Sequence, residues 1–159
     1  MSQLLAAGES APPFHLPDQQ GQVHDLERYR GRWVVLYFYP KDDTPGCTME
    51  ARAFQHHQQR FTAADAVVLG VSRDSTEKHS RFASRCGLEF SLLSDADGAV
   101  TGAYGAKGRL MGTARVTYVI DPQGKIVAVF HFLSPQRHVD EALRLVEVGA
   151  SRARSDSPQ

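Results

Sequence analysis

Cys47 follows a threonine, a proline and a glycine, and that spacing gives its sulfur a chemical setting of its own. A hydroxyl residue at the N-cap and proline at the first helical position mark a helix start, so Thr44-Pro45-Gly46-Cys47 puts the cysteine at the third helical position. The N–H groups of a first helical turn have no intrahelical acceptor, and the helix dipole adds partial positive charge there. A thiolate is favoured at such a site, and the thiolate rather than the thiol is the nucleophile. Gly46 leaves the approach to the sulfur uncrowded, and the Thr44 hydroxyl can donate to the sulfur or to a bound oxygen. Pro40 and Pro45 remove N–H groups and stiffen the loop. A buried structural cysteine is the plainer alternative, since free cysteine is among the most buried residue types. The Thr-Pro-Gly-Cys setting argues against it.

The same residues carry a family resemblance. Pro40, Thr44 and Cys47 fall on a P-x-x-x-T-x-x-C pattern that resembles the peroxiredoxins. The string YFYPKDDTPGCT over residues 37–48, followed by Glu50-Ala51, closely resembles the PrxQ group, also called bacterioferritin comigratory proteins. The resemblance spans roughly residues 10–147 and implies a thiol peroxidase for hydrogen peroxide and organic hydroperoxides. Cys47 would attack the O–O bond to give a sulfenic acid, which thioredoxin, glutaredoxin or a small thiol then reduces. No bound cofactor is needed, because a weak O–O bond and a placed thiolate suffice.

The resemblance also assigns supporting roles. Pro40 shields the sulfur, and Arg115 stands beside the cysteine, where a guanidinium would stabilise the thiolate and hydrogen-bond the peroxide oxygens. Without the resemblance, Arg115 at the start of RVTYVID reads as a solvated strand-end arginine. Glu50, one turn after Cys47 on the same helix face, either orients an arginine or is a solvated carboxylate. Tyr39 either lines the pocket or belongs to the core. Two departures from the PrxQ pattern stand out. Phe54-Gln55-His56 replaces the usual Phe-Arg-Asp, and neither usual place for a resolving cysteine holds one: Arg52 and Ala83 occupy them. Cys86 is close to the second place but not on it, and is disfavoured as a resolving residue.

The elements that must position Cys47 follow from the hydrophobic pattern. Residues 33–39 form a short apolar run, β-branched at Val34 and Val35, that reads as a strand covered on both faces. Downstream of Cys47, Met49, Phe54 and Phe61 fit one broad helical face. Residues 67–72 read as a second core strand. Asp74 or Ser75 can cap a helix that ends near Cys86, with Phe82 inward and Gly87 as its stop. A short strand at 90–93 and a short helix ending near Tyr104-Gly105 come next. Strands at 116–120 and 126–132 flank the turn Asp121-Pro122-Gln123-Gly124. Val139, Leu143 and Val146 mark the last helix. Residues 14–16 and 23–24 around Gln19-Gln20-Gly21 predict an N-terminal β-hairpin. With right-handed crossovers this order gives a thioredoxin-like α/β sandwich, a mixed central sheet with helices on both faces. Residues 1–148 then form one domain, and 149–159, rich in Ser and Arg, a disordered tail.

Other classes are disfavoured. Eighteen basic side chains balance eighteen acidic ones and the pI is about 7.1, which gives no support for nucleic-acid or acidic-lipid binding. No apolar run approaches a membrane span, and Leu4-Leu5-Ala6-Ala7 lacks the basic flank of a signal peptide. Two cysteines do not make a disulfide scaffold, so a cytoplasmic location is expected, with the protein a monomer or a weak dimer. His56-His57 are adjacent and lack the i, i+4 spacing of helical metal motifs, so no metal is expected. The glycines from Gly98 to Gly112 match no phosphate-binding spacing. Two rival functions remain. A disulfide-exchange enzyme on this fold normally requires Cys-x-x-Cys, and Thr44 takes the first of those positions. A redox-sensing module would use oxidation of Cys47 to alter a partner surface.

Overall fold

The structure, a computed structural model, describes residues 3–108, 112–131 and 134–156. Its centre is β3 (Trp33–Phe38), apolar throughout because it is the middle strand of five and is covered on both faces. β3 pairs in parallel with β4 (Ala66–Ser72), which pairs in parallel with β5 (Ser91–Ser94). On its other side it pairs antiparallel with β6 (Val116–Ile120), and β6 with β7 (Ile126–Phe130), giving the order β5-β4-β3-β6-β7. A hairpin of β1 (His15–Pro17) and β2 (Val23–Asp25) precedes the sheet.

Strand alternation divides the core in two. Val35, Tyr37 and Tyr39 face a layer built from α1 (Pro45–His56), α2 (Gln58–Ala63), α3 (Thr76–Cys86) and α5 (Pro135–Asp156). Phe54, Phe61, Phe82, Val139 and Val146 fill that layer and are fully buried. Val34, Leu36 and Phe38 face the opposite layer, where Phe14, Leu16, Tyr29 and Tyr104 cover the sheet, with a 3-10 turn at Leu26–Tyr29 and the short α4 (Ala99–Ala103) beside them. This is the thioredoxin-like sandwich with a mixed sheet and an N-terminal hairpin. The second face is closed mainly by the N-terminal segment rather than by a helical layer. Ser75 caps α3 through its hydroxyl, which accepts from the Lys78 N–H, and Gly87 ends it at φ 64°.

Two expectations change. The helix after Cys47 breaks at His57 into α1 and α2, and Met49 lies 56% exposed instead of sharing the inward face of Phe54 and Phe61. The expected tail is helical as far as Asp156, because its small residues serve packing: Ala150 is buried, and Gly149 lies against the Trp33 ring. Composition registered the lack of large apolar side chains there but not that α5 needs a small residue to pass Trp33. Phe132, residues 109–111 of the glycine-rich stretch and residues 157–159 lie outside the described residues.

A Cβ at position 149 would overlap the Trp33 ring. Gly149→Val should therefore destabilise the protein by about 1–3 kcal/mol, the usual cost of overpacking, read as a lower midpoint in urea unfolding.

Candidate active site

The end of β3 and the start of α1 place the sulfur. After Phe38 the chain passes through Pro40 and a tight loop to Thr44, whose extended backbone (φ −89°, ψ 153°) is the N-cap, with Pro45 at the first helical position. Cys47 then sits at the third, in the first turn, and is only 2% exposed. The sheet register supplies its partner. Val116 on β6 pairs with Phe38, so Arg115, one residue earlier, reaches the mouth of the same loop from the neighbouring strand.

Arg115 is the hinge of the site. Its Nη2 donates to Cys47 Sγ at 3.4 Å, and its Nη1 donates to Glu50 Oε1 at 2.5 Å. Burial opposes the Arg115 charge, but Glu50 and Cys47 outweigh it and raise its pKa, so the guanidinium stays protonated. Glu50 has no solvent exposure, and its second carboxyl oxygen has no hydrogen-bond partner. That burial pushes its pKa up to about 8, against the pull of Arg115. Burial likewise drives the Tyr37 hydroxyl upward, helped by the charges of Glu50 and Cys47. Gly46 leaves room for the guanidinium, since a Cβ there would stand 3.0 Å from Arg115 Nη2.

The loop is tied down by Asp42, His79 and Arg85, which had no role in the sequence reading, together with Tyr39 and Asp74. Asp42 is buried, accepts from the Tyr39 hydroxyl at 2.6 Å and pairs with His79 Nδ1 on α3 at 2.6 Å. His79 Nε2 in turn donates to the Leu93 carbonyl. The Asp42 N–H donates to Asp74 at 2.9 Å, and Asp43, in the left-handed region at φ 64°, pairs with Arg85. Tyr39 thus belongs to the core and supports the loop. Among the described residues, Asp42, Asp74 and His79 form the one group with ligand atoms close enough for a metal ion, but those atoms bond to one another and to Tyr39 and Ser72.

Of the residues singled out by sequence, the structure brings Cys47, Glu50 and Arg115 together. Thr44 caps the helix through its backbone, while its hydroxyl donates to the Lys41 carbonyl at 2.8 Å rather than to the sulfur. Pro40 is exposed at the loop's start. Cys86 is a free, half-buried thiol at the last position of α3, and Ala83 is buried one turn before it. The sequence reading missed His138, which α5 places against β6: Nδ1 lies 2.8 Å from the Thr117 hydroxyl. Its spacing in the helix, on the buried side with Ala142, was the available signal.

A buried cysteine at a helix start with an arginine on its sulfur defines a thiol-chemistry site on a thioredoxin-like fold, and comparison with known proteins agrees. Residues 7–129 match the AhpC/TSA family, and the chain belongs to it. Its relatives are of the peroxiredoxin Q/BCP group: it is 43% identical over 146 residues to the chloroplastic peroxiredoxin Q of Sedum lineare, covering 90% of this chain and 78% of that protein. It is 41% identical to a putative peroxiredoxin bcp of Coxiella burnetii, covering 87% and 97%. Among solved structures, peroxidoxin BcpB of Mycobacterium tuberculosis superposes with a TM-score of 0.85 at 36% identity, covering 89% of this chain and 96% of that one. A PrxQ from Xylella fastidiosa superposes at 0.87 and 31%, covering 94% and 99%. The protein is a thiol-dependent peroxidase.

His138 makes one property of this architecture measurable. Burial, with Arg115 and His131 nearby, lowers its pKa from 6.5 to about 4. The unfolded chain therefore takes up a proton that the native state refuses. The associated stability is complete above pH 6.5 and is lost as pH falls through that value towards 4. Urea unfolding at pH 7 and 4.5 should show a loss of about 1–3 kcal/mol from this group, and His138→Gln should flatten it.

Proposed function

We propose that Cys47 is the peroxidatic nucleophile for hydrogen peroxide and organic hydroperoxides, and that Arg115, Thr44 and Pro40 complete its site. The observation that carries this is the Arg115 guanidinium on the Cys47 sulfur at the first turn of α1. Arg115 and the first-turn N–H groups favour the thiolate and offer donors to a peroxide oxygen. The thiolate attacks the nearer peroxide oxygen. An S–O bond forms and the O–O bond breaks, the sulfur is oxidised, and the departing oxygen leaves, on protonation, as water or an alcohol. Thr44, released from Lys41, can turn its hydroxyl to the bound peroxide, while Pro40 limits water at the loop. Glu50 orients Arg115 through the second arm of the fork.

The sulfenic acid is then reduced from outside the chain, by thioredoxin, glutaredoxin or a small thiol acting in the cytoplasm. A first thiol displaces water to give a mixed disulfide and a second releases Cys47. Cys86 closes α3, whose first turn follows β4 on the same side of the sheet as the first turn of α1. About eleven residues at 1.5 Å each separate the two ends of α3, roughly 16 Å. A disulfide tolerates Cα atoms no more than about 7 Å apart, and Arg85 beside Cys86 is held on Asp43, so in this reading Cys86 would serve only if the end of α3 gave up that contact.

Cys47→Ser should abolish peroxide consumption with a thiol donor while circular dichroism shows the fold intact. Arg115→Ala should slow peroxide attack by an amount equivalent to about 2–4 kcal/mol, as for loss of an oxyanion donor. It should also move iodoacetamide alkylation of Cys47 to higher pH. Retained turnover in Cys47→Ser, or an unmoved alkylation profile in Arg115→Ala, would contradict these roles.

A further inference from the structure

Glu50 has one use so far, to orient Arg115, and that use leaves much about it unexplained. It is an acidic side chain without solvent exposure, one turn from a sulfur meant to carry negative charge, and it shares one guanidinium with that sulfur. One cation cannot fully compensate two buried anions at this spacing, and a buried charge without a partner costs several kcal/mol by general experience. Glu50 Oε2 has no donor at all. The groups that face it do not help: Tyr37 from β3 brings a neutral hydroxyl, itself unpartnered, and Cys47 shares its own helix. His138 from α5, which lies toward Arg115, stays neutral at ordinary pH, and Arg115, one residue before β6, is the cation that these contacts supply.

We propose that Cys47 and Glu50 hold one negative charge between them, so that Glu50 is a neutral carboxylic acid while Cys47 is a thiolate and gives up its proton as the sulfur is oxidised. This rests on Cys47 being the peroxidatic residue. The step balances as thiolate plus hydroperoxide plus Glu50 carboxylic acid going to sulfenic acid plus alcohol or water plus Glu50 carboxylate. The charge that leaves the sulfur reappears on Glu50, still opposite Arg115. Burial holds Glu50 protonated to about pH 8 even with Arg115 in place, which agrees with the resting half of that order. Arg115 then faces one anion at a time, the sulfur before the reaction and Glu50 after it, while its Nη1 keeps its bond to Glu50 Oε1. The idle state is one in which neither anion competes for the guanidinium.

Infrared difference spectra of wild type against Glu50→Gln test this without turnover. A protonated-carboxyl C=O band from Glu50 should be present at pH 7 and disappear above about pH 8. In Cys47→Ser, where no thiolate competes for Arg115, the band should disappear at least about one pH unit lower. On adding peroxide in weak buffer, Glu50→Gln should take up about one proton more per Cys47 oxidised than wild type, since it has none to give. A carboxylate band from Glu50 at pH 7 would overturn the proposal, as would equal proton uptake by wild type and Glu50→Gln. If instead Cys47 proves unreactive while the carboxyl band behaves as described, the charge sharing stands and the peroxidatic assignment fails.

Discussion

Everything at the reactive end of this protein depends on one guanidinium that is shared. Arg115 reaches Cys47 with one arm and Glu50 with the other, and both partners are buried. Low solvent access strengthens each contact and makes each unpaired alternative costly. The sheet makes the arrangement possible. β6 runs antiparallel to the central strand, so the first residues of β6 lie where β3 ends and the loop to α1 begins. Residues far apart in the chain therefore meet through strand pairing. Gly46 completes the fit by leaving out the one atom that would crowd the guanidinium.

The loop between β3 and α1 is held as firmly as the sulfur. Asp42 faces inward and is bound by Tyr39, His79 and, through its backbone, Asp74, while Asp43 takes a left-handed conformation and pairs with Arg85. Both anchors on α3 lie on the helix that carries Cys86. Opening α3 would therefore disturb the loop that presents Cys47, which ties any unwinding to the geometry of the active site. That coupling is a physical reason for an external thiol to be the simpler reductant.

Local patterns carried much of this into the sequence. The short apolar run after Arg32, the Thr-Pro start of α1, the serine and glycine at the two ends of α3 and the turn at residues 121–124 each have a mechanism that works at short range. They gave the sheet and the place of Cys47. What depends on distant packing was not legible. Met49 looked apolar and inward, but within α1 it lies five residues from Phe54, roughly 140° round the helix, and faces solvent. Residues after Val148 looked too polar to fold, but Trp33 demands a glycine there and α5 continues past it. Glu50 could equally have been a solvated carboxylate until β6 laid Arg115 across it. His138 and Asp42 carried no motif and took their places from α5 and α3.

The central claim is that Cys47, held reactive by Arg115, is oxidised by peroxide and waits for a thiol from outside the chain. Peptide mass spectrometry after one equivalent of hydrogen peroxide, with dimedone present to trap sulfenic acid, tests it most directly. The account predicts a dimedone adduct on Cys47 with Cys86 unmodified. A stoichiometric Cys47–Cys86 disulfide within the first turnover, or an adduct on Cys86 with Cys47 intact, would contradict it.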